Sequence, residues 1–306
     1  ECHGRASVLF QDNNAIRDQG VMDFLHNKTF DLLQLRENYD QREELDVCFK
    51  KWLGDKLVDT EDFETLPMPS SQKAIIEFLA KHRHRNLRIH QQEYWQKDWF
   101  DTIPWEFRYF KTPDDLIGTD IVVLSLPLRG TQTIEQWFIP LLEKCDKLDI
   151  PVFLDCAYYW LMDVKKISLK YKCVKEVACS LSKIFPTFTL NAGAKLVRKD
   201  RVSKWDTYYT QNRILVDLTM SLCNNFSNDY IVKKYKPLQE KYCKILNIQP
   251  VECVTHAKIK SDLYDYNSNK MWEHNGLNQD LLNMSRLYEN NELIENYLSS
   301  KNFSSS

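Results

Sequence analysis

The chain has 306 residues, a formal net charge of −2 and 27% charged residues. This length allows one large domain together with a smaller second one. The near-neutral charge argues against a nucleic acid or a membrane surface as the main partner. The sequence contains no run of about 18 or more apolar residues, so it predicts no transmembrane helix.

Nine cysteines are present, without a C-x-x-C pair or a zinc-ligand spacing. Cys156 and Cys179 lie inside predicted strands, which indicates reduced, buried thiols. The first residues lack the basic-then-apolar layout of a signal peptide. These features together predict a cytoplasmic protein. No metal site is predicted, because the basic cluster His82–Arg85 suits the solvated last turn of a helix.

Residues 1–62 are polar and predict helices around Asp23–Glu37 and Glu43–Leu57. Residues 61–69 predict a loop, since two prolines two apart favour extended backbone. This first segment is therefore predicted to be mainly helical, unlike the apolar, strand-forming stretches that follow.

The next stretch, Ser70-Ser71-Gln72, precedes AIIEFLAKH, whose apolar spacing predicts an amphipathic helix. Ser70 or Ser71 is a good N-cap, and a helix that begins with small residues can bind an anion. The same residues also suit an ordinary capped surface helix. The sequence leaves both interpretations open.

Strands and helices then alternate along the chain. Asn86–Gln91 predicts a short strand, and the continuous apolar run Asp120–Pro127 predicts a strand buried on both faces. A helix with a kink at Pro140 is expected before the next apolar run, IPVFLDCAY. This rhythm predicts an α/β fold with a mostly parallel sheet.

Two stretches end in polar residues where a strand would stop. PVFLDCAYYW brings Asp155 and Tyr158 to the end of one strand, and VKEVACSLSK brings Ser180, Ser182 and Lys183 to the end of another. Ligands of open α/β sheets bind at these carboxyl ends. A lysine, a carboxylate and a phenol are the groups that pyridoxal phosphate (PLP) chemistry requires.

LDCAY and SLSK, in this order and at this separation, resemble motifs of the fold type I PLP-dependent aminotransferases, which are aspartate aminotransferase-like. The resemblance extends from about Ser70 to Gly193. It implies a seven-stranded, mostly parallel PLP-binding large domain over residues 63–215, with helices on both faces. Residues 216–306 would form a reduced, mainly helical second domain, and residues 1–62 would join the small domain or a dimer arm.

The resemblance also implies an activity and a set of partners. Amino-group transfer would proceed through an internal aldimine on Lys183, between a small-molecule amino donor and a keto acceptor. Asp155 would keep the pyridine nitrogen protonated, and Tyr158 would bond the phenolic oxygen, with Tyr159 as an alternative. The family builds its site at a subunit interface, which implies a homodimer.

Further roles follow from the same resemblance. Ser180 and Ser182 would bind the cofactor phosphate, and Tyr94, or else Trp95, would stack on the pyridine ring. The remaining cofactor-binding candidates are Ser70, Ser71, Gln72 and Asn191. Arg286 is the candidate for binding the substrate carboxylate.

Three features of the family are missing. The turn before the predicted helix at residue 72 has no glycines, and Leu126-Pro127 stands where the family has Asn-Pro. Asn191 stands where the family has a phosphate-binding arginine, and nearby Lys195 offers only a point charge. A PLP-dependent lyase and a degenerate, non-catalytic scaffold therefore remain alternatives to an aminotransferase.

The last part of the chain predicts mainly helix. Residues 201–246 have a helical pattern that Pro237 should interrupt, Asp265–Asn278 predicts a loop, and Leu281–Leu298 predicts a closing helix.

Overall fold

A computed structural model of the chain describes residues 15–31, 41–68, 70–93, 107–163, 166–187, 190–203, 212–259 and 280–289. The helices are α1 (Gln19–Asn27), α2 (Arg42–Leu53), α3 (Ser71–Lys81), α4 (Phe138–Lys147), α5 (Arg213–Asn225), α6 (Tyr230–Leu246) and α7 (Ser285–Glu289). The strands are β1 (Leu57–Val58), β2 (Phe63–Pro67), β3 (Asn86–His90), β4 (Phe107–Phe110), β5 (Asp120–Ser125), β6 (Val152–Asp155), β7 (Ile167–Ser168), β8 (Val174–Ser180), β9 (Gly193–Arg198), β10 (Gln249–Pro250), β11 (His256–Ile259) and β12 (Asp280–Asn283).

A seven-stranded sheet in the order β2-β9-β8-β6-β5-β3-β4 forms the centre of the molecule. Strand β9 is antiparallel to both of its neighbours, and the other neighbouring strands are parallel. The predicted α/β fold with a seven-stranded, mostly parallel sheet is confirmed.

Helices cover both faces of this sheet. All six residues of β5 are buried, and its side chains alternate between two hydrophobic clusters. Ile121 and Val123 belong to the cluster that includes α3, whereas Val122 and Leu124 belong to the cluster that includes α4. Because successive side chains of a strand point to opposite faces, a strand between two helical layers must be apolar throughout.

Several element boundaries differ from the sequence-based expectation. Helix α1 ends at Asn27, and residues 32–40 of the predicted helix lie outside the described ranges. Pro140 falls in the first turn of α4, where the missing N–H group has no intrahelical acceptor to lose. The expected kink at that position is therefore wrong.

Pro237 lies within the continuous helix α6, so the predicted interruption at this proline is also wrong. The chain breaks instead between α5 and α6. There the side-chain amide of Asn228 donates hydrogen bonds to the backbone oxygens of Trp52 and Leu53, at 2.7 and 2.8 Å. Contacts with α2 therefore hold the turn where it is, and such long-range contacts cannot be recognised in the local pattern.

The C-terminal part contains a small antiparallel sheet in the order β10-β11-β12. A helix was expected to begin at Leu281, but residues 280–283 pair with residues 256–259 as strand β12. This start of the predicted helix is wrong, because the partner strand supplies hydrogen bonds that a local pattern cannot reveal. In the described part of the chain, no helix is both long and apolar enough to span a bilayer.

Candidate active site

The carboxyl ends of the central strands meet at one edge of the sheet. Ser125 at the end of β5 is level with Asp155 at the end of β6, and Asp155 is level with Ala178 near the end of β8. Strand β9 runs in the opposite direction and begins at this edge, where Gly193 pairs with Ser180. The sheet therefore brings together polar residues from separate parts of the chain.

The Asp155 carboxyl group is buried, with 4% of the residue exposed. Its Oδ1 atom accepts a hydrogen bond of 3.1 Å from the Ala157 N–H. Burial raises the pKa of Asp155, whereas the positive charge of Arg129 and the Ala157 hydrogen bond lower it. The carboxyl group is thus held within a dry site by one backbone donor and by nearby positive charge.

Lys183 lies in the turn that follows β8. Its Nζ atom is 5.8 Å from the centroid of the Tyr158 ring. Burial lowers the pKa of Lys183 to about 8, with a further lowering by the charge of Arg129 and an opposing effect of Asp155. A lysine with such a pKa is neutral far more often than an exposed one, and the neutral amine is the nucleophilic form.

Tyr159 is not available as the alternative to Tyr158. Its hydroxyl donates a 2.6 Å hydrogen bond to the backbone oxygen of Lys56, and the ring is fully buried. The centroid of the Tyr158 ring, by contrast, lies 5.8 Å from Lys183 Nζ. Of the two neighbouring tyrosines, Tyr158 is therefore the one that belongs to this edge of the sheet.

The N-terminus of α3 also reaches the site. The Ser70 hydroxyl caps the helix by accepting a 3.1 Å hydrogen bond from the Lys73 N–H. The buried Ser71 Oγ has no well-formed hydrogen bond to a described residue, although it is close enough to Asp155 to lower the pKa of that carboxyl. We regard this as a loose polar contact and not as a hydrogen bond. Gln72 is exposed in the first turn.

Ser180 and Ser182 form a local turn at the end of β8. The Ser182 N–H donates to Ser180 Oγ at 3.3 Å, and Ser182 Oγ donates to the Leu190 backbone oxygen at 3.4 Å. Gly193 lies opposite with a φ of +144°, and a Cβ atom there would meet the Cys179 oxygen at 2.5 Å. Glycine is required for this close approach.

Asn191 and Lys195 lie near the place of the missing phosphate arginine, and the role of Asn191 stays a prediction. Asn191 is exposed in the loop before β9. Lys195 is 2% exposed, and its Nζ atom lies 3.0 Å from a Glu77 oxygen and 3.9 Å from a Glu176 oxygen. The idea that Lys195 supplies the phosphate charge is therefore wrong, since two carboxylates within the protein already hold this ammonium group.

Sequence reasoning missed Glu93, which follows β3. Its Oε1 atom accepts a 2.6 Å hydrogen bond from the Ser125 N–H, and its buried Oε2 atom has no partner among the described residues. The pKa of Glu93 is raised to about 7, mainly by burial and slightly by the charge of Asp155, while the hydrogen bonds from Ser125 and the charge of Arg129 oppose this increase. The sequence feature that could have indicated a role for Glu93 is its position at the end of a strand, directly before Tyr94.

Arg129 and His256 were missed as well. The Arg129 guanidinium carbon lies 5.2 Å from the Tyr158 ring centroid, and the His256 ring meets the same ring edge-on at 5.8 Å. Burial lowers the pKa of His256 to about 3, with smaller contributions from Arg129 and Lys183. The position of Arg129 just after β5 was a signal for it, whereas His256 comes from the C-terminal sheet and had none.

Two predicted site residues cannot be placed in full. Tyr94 lies outside the described residues, as does its alternative Trp95. Arg286 lies in the short helix α7, and its side chain is outside the described part of the structure. Their assigned roles stay predictions.

The side chains at this edge fit PLP. A buried carboxyl group, Asp155, is available for the ring nitrogen, and a lysine with a lowered pKa lies on the neighbouring strand end. The buried Glu93 Oε2 and Ser71 Oγ atoms, which lack a well-formed hydrogen bond to a described residue, add polar groups near Asp155. Among the described residues, no group of His, Cys, Asp or Glu side chains is arranged to hold a metal ion.

Comparison with known proteins supports the same conclusion about the fold. No protein-family model and no curated protein matches the sequence. Solved structures do match. The PLP-bound C-S lyase of Staphylococcus hominis complexed with L-cycloserine superposes with a TM-score of 0.69 at 12% identity, over 90% of this chain and 83% of that chain.

Two enzymes with other activities match as well. For L-threonine-O-3-phosphate decarboxylase of Porphyromonas gingivalis, the TM-score is 0.64 at 13% identity, over 95% and 99% of the two chains. For histidinol-phosphate aminotransferase of Clostridium acetobutylicum, it is 0.61 at 14% identity, over 89% and 92%. The chain therefore has the fold of the fold type I PLP-dependent enzymes.

Proposed function

We propose that the protein is a PLP-dependent enzyme of the aminotransferase type, with Lys183 as the residue that binds the cofactor. The observation that carries this proposal is the arrangement of Lys183 and Asp155 at neighbouring strand ends. Asp155 is buried and Lys183 is half-buried, and the lysine has a pKa lowered to about 8. A scaffold with no use for the cofactor has no physical need to keep a lysine ammonium and a carboxylate in a dry site.

Each residue of the site would have a separate role in binding the cofactor. Asp155 would hold a proton at the pyridine nitrogen, and Tyr158 would donate a hydrogen bond to the phenolic oxygen. The turn containing Ser180 and Ser182, together with the first-turn N–H groups of α3, would bind the phosphate. When bound, PLP supplies an electron sink that stabilises negative charge on a substrate carbon.

Lys183 would also move a proton. A lysine amine with a pKa near 8 accepts and returns a proton near neutral pH with little cost in free energy. Its place beside the Tyr158 ring keeps the Nζ atom within the polar edge of the sheet. Proton transfer at the substrate carbon is the step that every amino-group transfer of this kind requires.

A cofactor-binding experiment tests the proposal. Purified protein is incubated with PLP, dialysed, reduced with borohydride and digested, and the cofactor is located by mass spectrometry. We expect one PLP per chain on the peptide that contains Lys183, and none after Lys183→Ala. Lys147→Ala, at the exposed end of α4, is the matched control and should label as the parent does. An unlabelled parent at saturating PLP would support the degenerate scaffold instead.

A PLP-dependent lyase is the second candidate, because a C-S lyase is among the proteins with the same fold. Product analysis distinguishes the two activities. An aminotransferase moves the amino group from a small-molecule donor to a keto acceptor, so it needs a second substrate to turn over. A lyase releases ammonia or a cleaved fragment from one substrate alone.

We further propose that the protein is a cytoplasmic homodimer in which residues 63–215 form the PLP-binding domain. Residues 1–62 would belong to the small domain or a dimer arm, and residues 216–306 would form the reduced second domain. The eight described cysteines are free thiols, which suits a reducing compartment. Sedimentation velocity tests the dimer, and a mass of one chain would contradict it.

A further inference from the structure

Two cysteines lie next to each other where helices α2 and α5 pack together. Cys48 belongs to α2 and Cys223 to α5. The Cys48 thiol contacts one stretch of α5, with its Sγ atom 3.8 Å from the Met220 backbone oxygen and 3.5 Å from Asn224 Oδ1. Cys223 lies within this stretch, and its thiol donates a hydrogen bond to the Cys48 sulfur. The two sulfur atoms are therefore neighbours across the helix interface.

The packing of two helices suits a disulfide bond between residues that face each other. The axes of packed helices are about 8–10 Å apart, and their Cα atoms lie about 2.3 Å from the axis. Cα atoms that face each other across the interface therefore come within about 5 Å. A disulfide requires a Cα separation of about 4.4–6.8 Å. We expect a bond between Cys48 and Cys223 to need a rotation of the side chains and no rearrangement of the two helices.

Exposure separates these two cysteines from the others. Cys48 and Cys223 are half-buried, and the remaining described cysteines are all buried. Cys156 and Cys179 also form a hydrogen-bonded pair, but both are fully buried in the central sheet. Among the described residues, Cys48 and Cys223 are thus the neighbouring thiols that a dissolved reagent can reach.

The two thiols also differ in acidity. The hydrogen bond from Cys223 lowers the pKa of Cys48 to about 7 against the opposing effect of burial, and the charge of Lys51 lowers it further. Burial raises the pKa of Cys223. At pH 7 about half of Cys48 is thiolate, compared with about 3% of an exposed thiol with a pKa of 8.5. Because the thiolate is the nucleophile, Cys48 is the sulfur that attacks first.

We propose that Cys48 and Cys223 form a redox-sensitive pair, which a small disulfide such as oxidised glutathione converts to an internal disulfide. The Cys48 thiolate attacks one sulfur of the reagent and displaces one thiolate, which takes up a proton. The Cys223 thiol then gives up its proton and attacks the Cys48 sulfur, and the second thiol leaves. Two protein thiols are oxidised, and one reagent disulfide is reduced to two thiols. Formation of this bond requires no PLP, so it does not depend on the proposed function.

The bond would connect distant parts of the fold. All seven strands of the central sheet lie between Cys48 and Cys223 in the sequence, and closing so long a loop disfavours the unfolded chain. Helix α5 also contacts the candidate active site, because Thr219 Oγ1 accepts a 3.0 Å hydrogen bond from the Gly193 N–H and Gly193 pairs with Ser180. Oxidation should therefore stabilise the protein and fix α5 beside that site.

Disulfide mapping tests the pair. The reduced full chain is incubated at pH 7.4 in mixtures of reduced and oxidised glutathione, and the remaining thiols are blocked with N-ethylmaleimide. The protein is then digested without reduction, and linked peptides are identified by mass spectrometry. The apparent Tm of the same samples is measured by circular dichroism. Cys48→Ser and Cys223→Ser are compared with the parent, and Cys2→Ser, which removes the cysteine outside the described residues, is the control.

We expect a Cys48–Cys223 link in the parent. The apparent Tm should rise by about 5–10 °C and return to its original value after treatment with dithiothreitol. Cys223→Ser should stop at the stage in which glutathione is attached to Cys48, because the second attacking thiol is missing. Cys48→Ser should leave Cys223 at least about tenfold less modified than Cys48 is in the parent, since the reactive thiolate is gone. Cys2→Ser should form the link as the parent does.

Three results would overturn the inference. If glutathione stays attached to Cys48 in the parent and no internal link forms, the two sulfur atoms cannot reach each other. If Cys156 and Cys179 become linked at a lower oxidant concentration, exposure does not select the pair. If Cys48 and Cys223 react only in urea, the reagent cannot reach them in the folded protein. Circular dichroism checks the folding of each variant, and the corresponding alanine variant replaces a serine variant that does not fold.

Discussion

The ionisation of Lys183 provides a direct test of the site. Burial lowers the pKa of this amine from 10.5 to about 8, and the charges of Arg129 and Asp155 act on it in opposite directions. At pH 7.4 an amine with a pKa of 8 is about 20% neutral, whereas one with a pKa of 10.5 is about 0.1% neutral. The site should therefore raise the nucleophilic fraction by about 200-fold.

Competitive labelling measures this quantity. The cofactor-free protein is treated with a trace of acetic anhydride between pH 6 and pH 11, and the modified Lys183 peptide is quantified by mass spectrometry against a free lysine amide standard. We expect a midpoint near pH 8. Removal of a nearby positive charge by Arg129→Gln should move the midpoint upward, because the charged amine then has one repulsive neighbour fewer. Asp155→Asn should move it downward, because the charged amine loses its stabilising carboxylate.

The opposite signs of these two shifts are the critical result. A midpoint above pH 10 in the parent would show that Lys183 is solvated and would refute the reasoning about burial. Shifts of the same sign in both variants would refute the electrostatic account, even if the midpoint were near 8. A doubly substituted protein serves as the control, since the two shifts should then partly cancel.

Three more results are expected. Lys195→Ala should lower the free energy of unfolding in urea by about 3 kcal/mol, since it leaves the buried Glu176 carboxylate with less compensating charge. The number of PLP molecules bound per chain should stay at that of the parent. Loss of PLP with unchanged stability would contradict this prediction. Cys48 should be the described thiol that iodoacetamide labels first at pH 7, because the hydrogen bond from Cys223 lowers its pKa to about 7, and Cys223→Ala should slow that labelling. The His256 ring should stay neutral down to pH 5 in NMR spectra of labelled protein, since its pKa is lowered to about 3; a titration midpoint above 6 would contradict its burial beside two cations.

Local patterns predicted the inner strands of the sheet, whereas the prediction of a loop over residues 61–69 is wrong, because Phe63–Pro67 pairs with β9 as strand β2. Residues 120–125 are continuously apolar apart from their ends, because a parallel strand between two helical layers has no solvated face. The amphipathic spacing of α3 likewise follows from one buried face, on which Ala74, Ile75, Phe78 and Leu79 lie. Where an element depends on a distant partner, as β12 depends on β11, the local pattern failed.

The residues of the candidate site also fall into two groups, those that local patterns could predict and those whose contacts required the tertiary structure. Asp155, Tyr158 and Lys183 were recognisable because each follows a strand closely, and the carboxyl ends of parallel strands lie at one edge. The hydroxyl of Tyr159 could be excluded only once its hydrogen bond to the Lys56 oxygen was known. Lys195 seemed available until its ion pairs with Glu77 and Glu176 were located.

The order of short apolar runs and their polar ends was enough to predict the α/β architecture and to place Lys183 and Asp155 at one edge of the sheet, because strand burial and strand direction are visible in a few neighbouring residues. The tertiary structure placed Glu93 and Arg129 beside these residues, and it alone decided that His256 joins them. His256 reaches Tyr158 from the separate C-terminal sheet, and Arg129 affects the pKa values of Asp155, Lys183 and His256 at once. Charges interact through space, so residues that are far apart in the sequence can shift each other's pKa values once the fold places them close together.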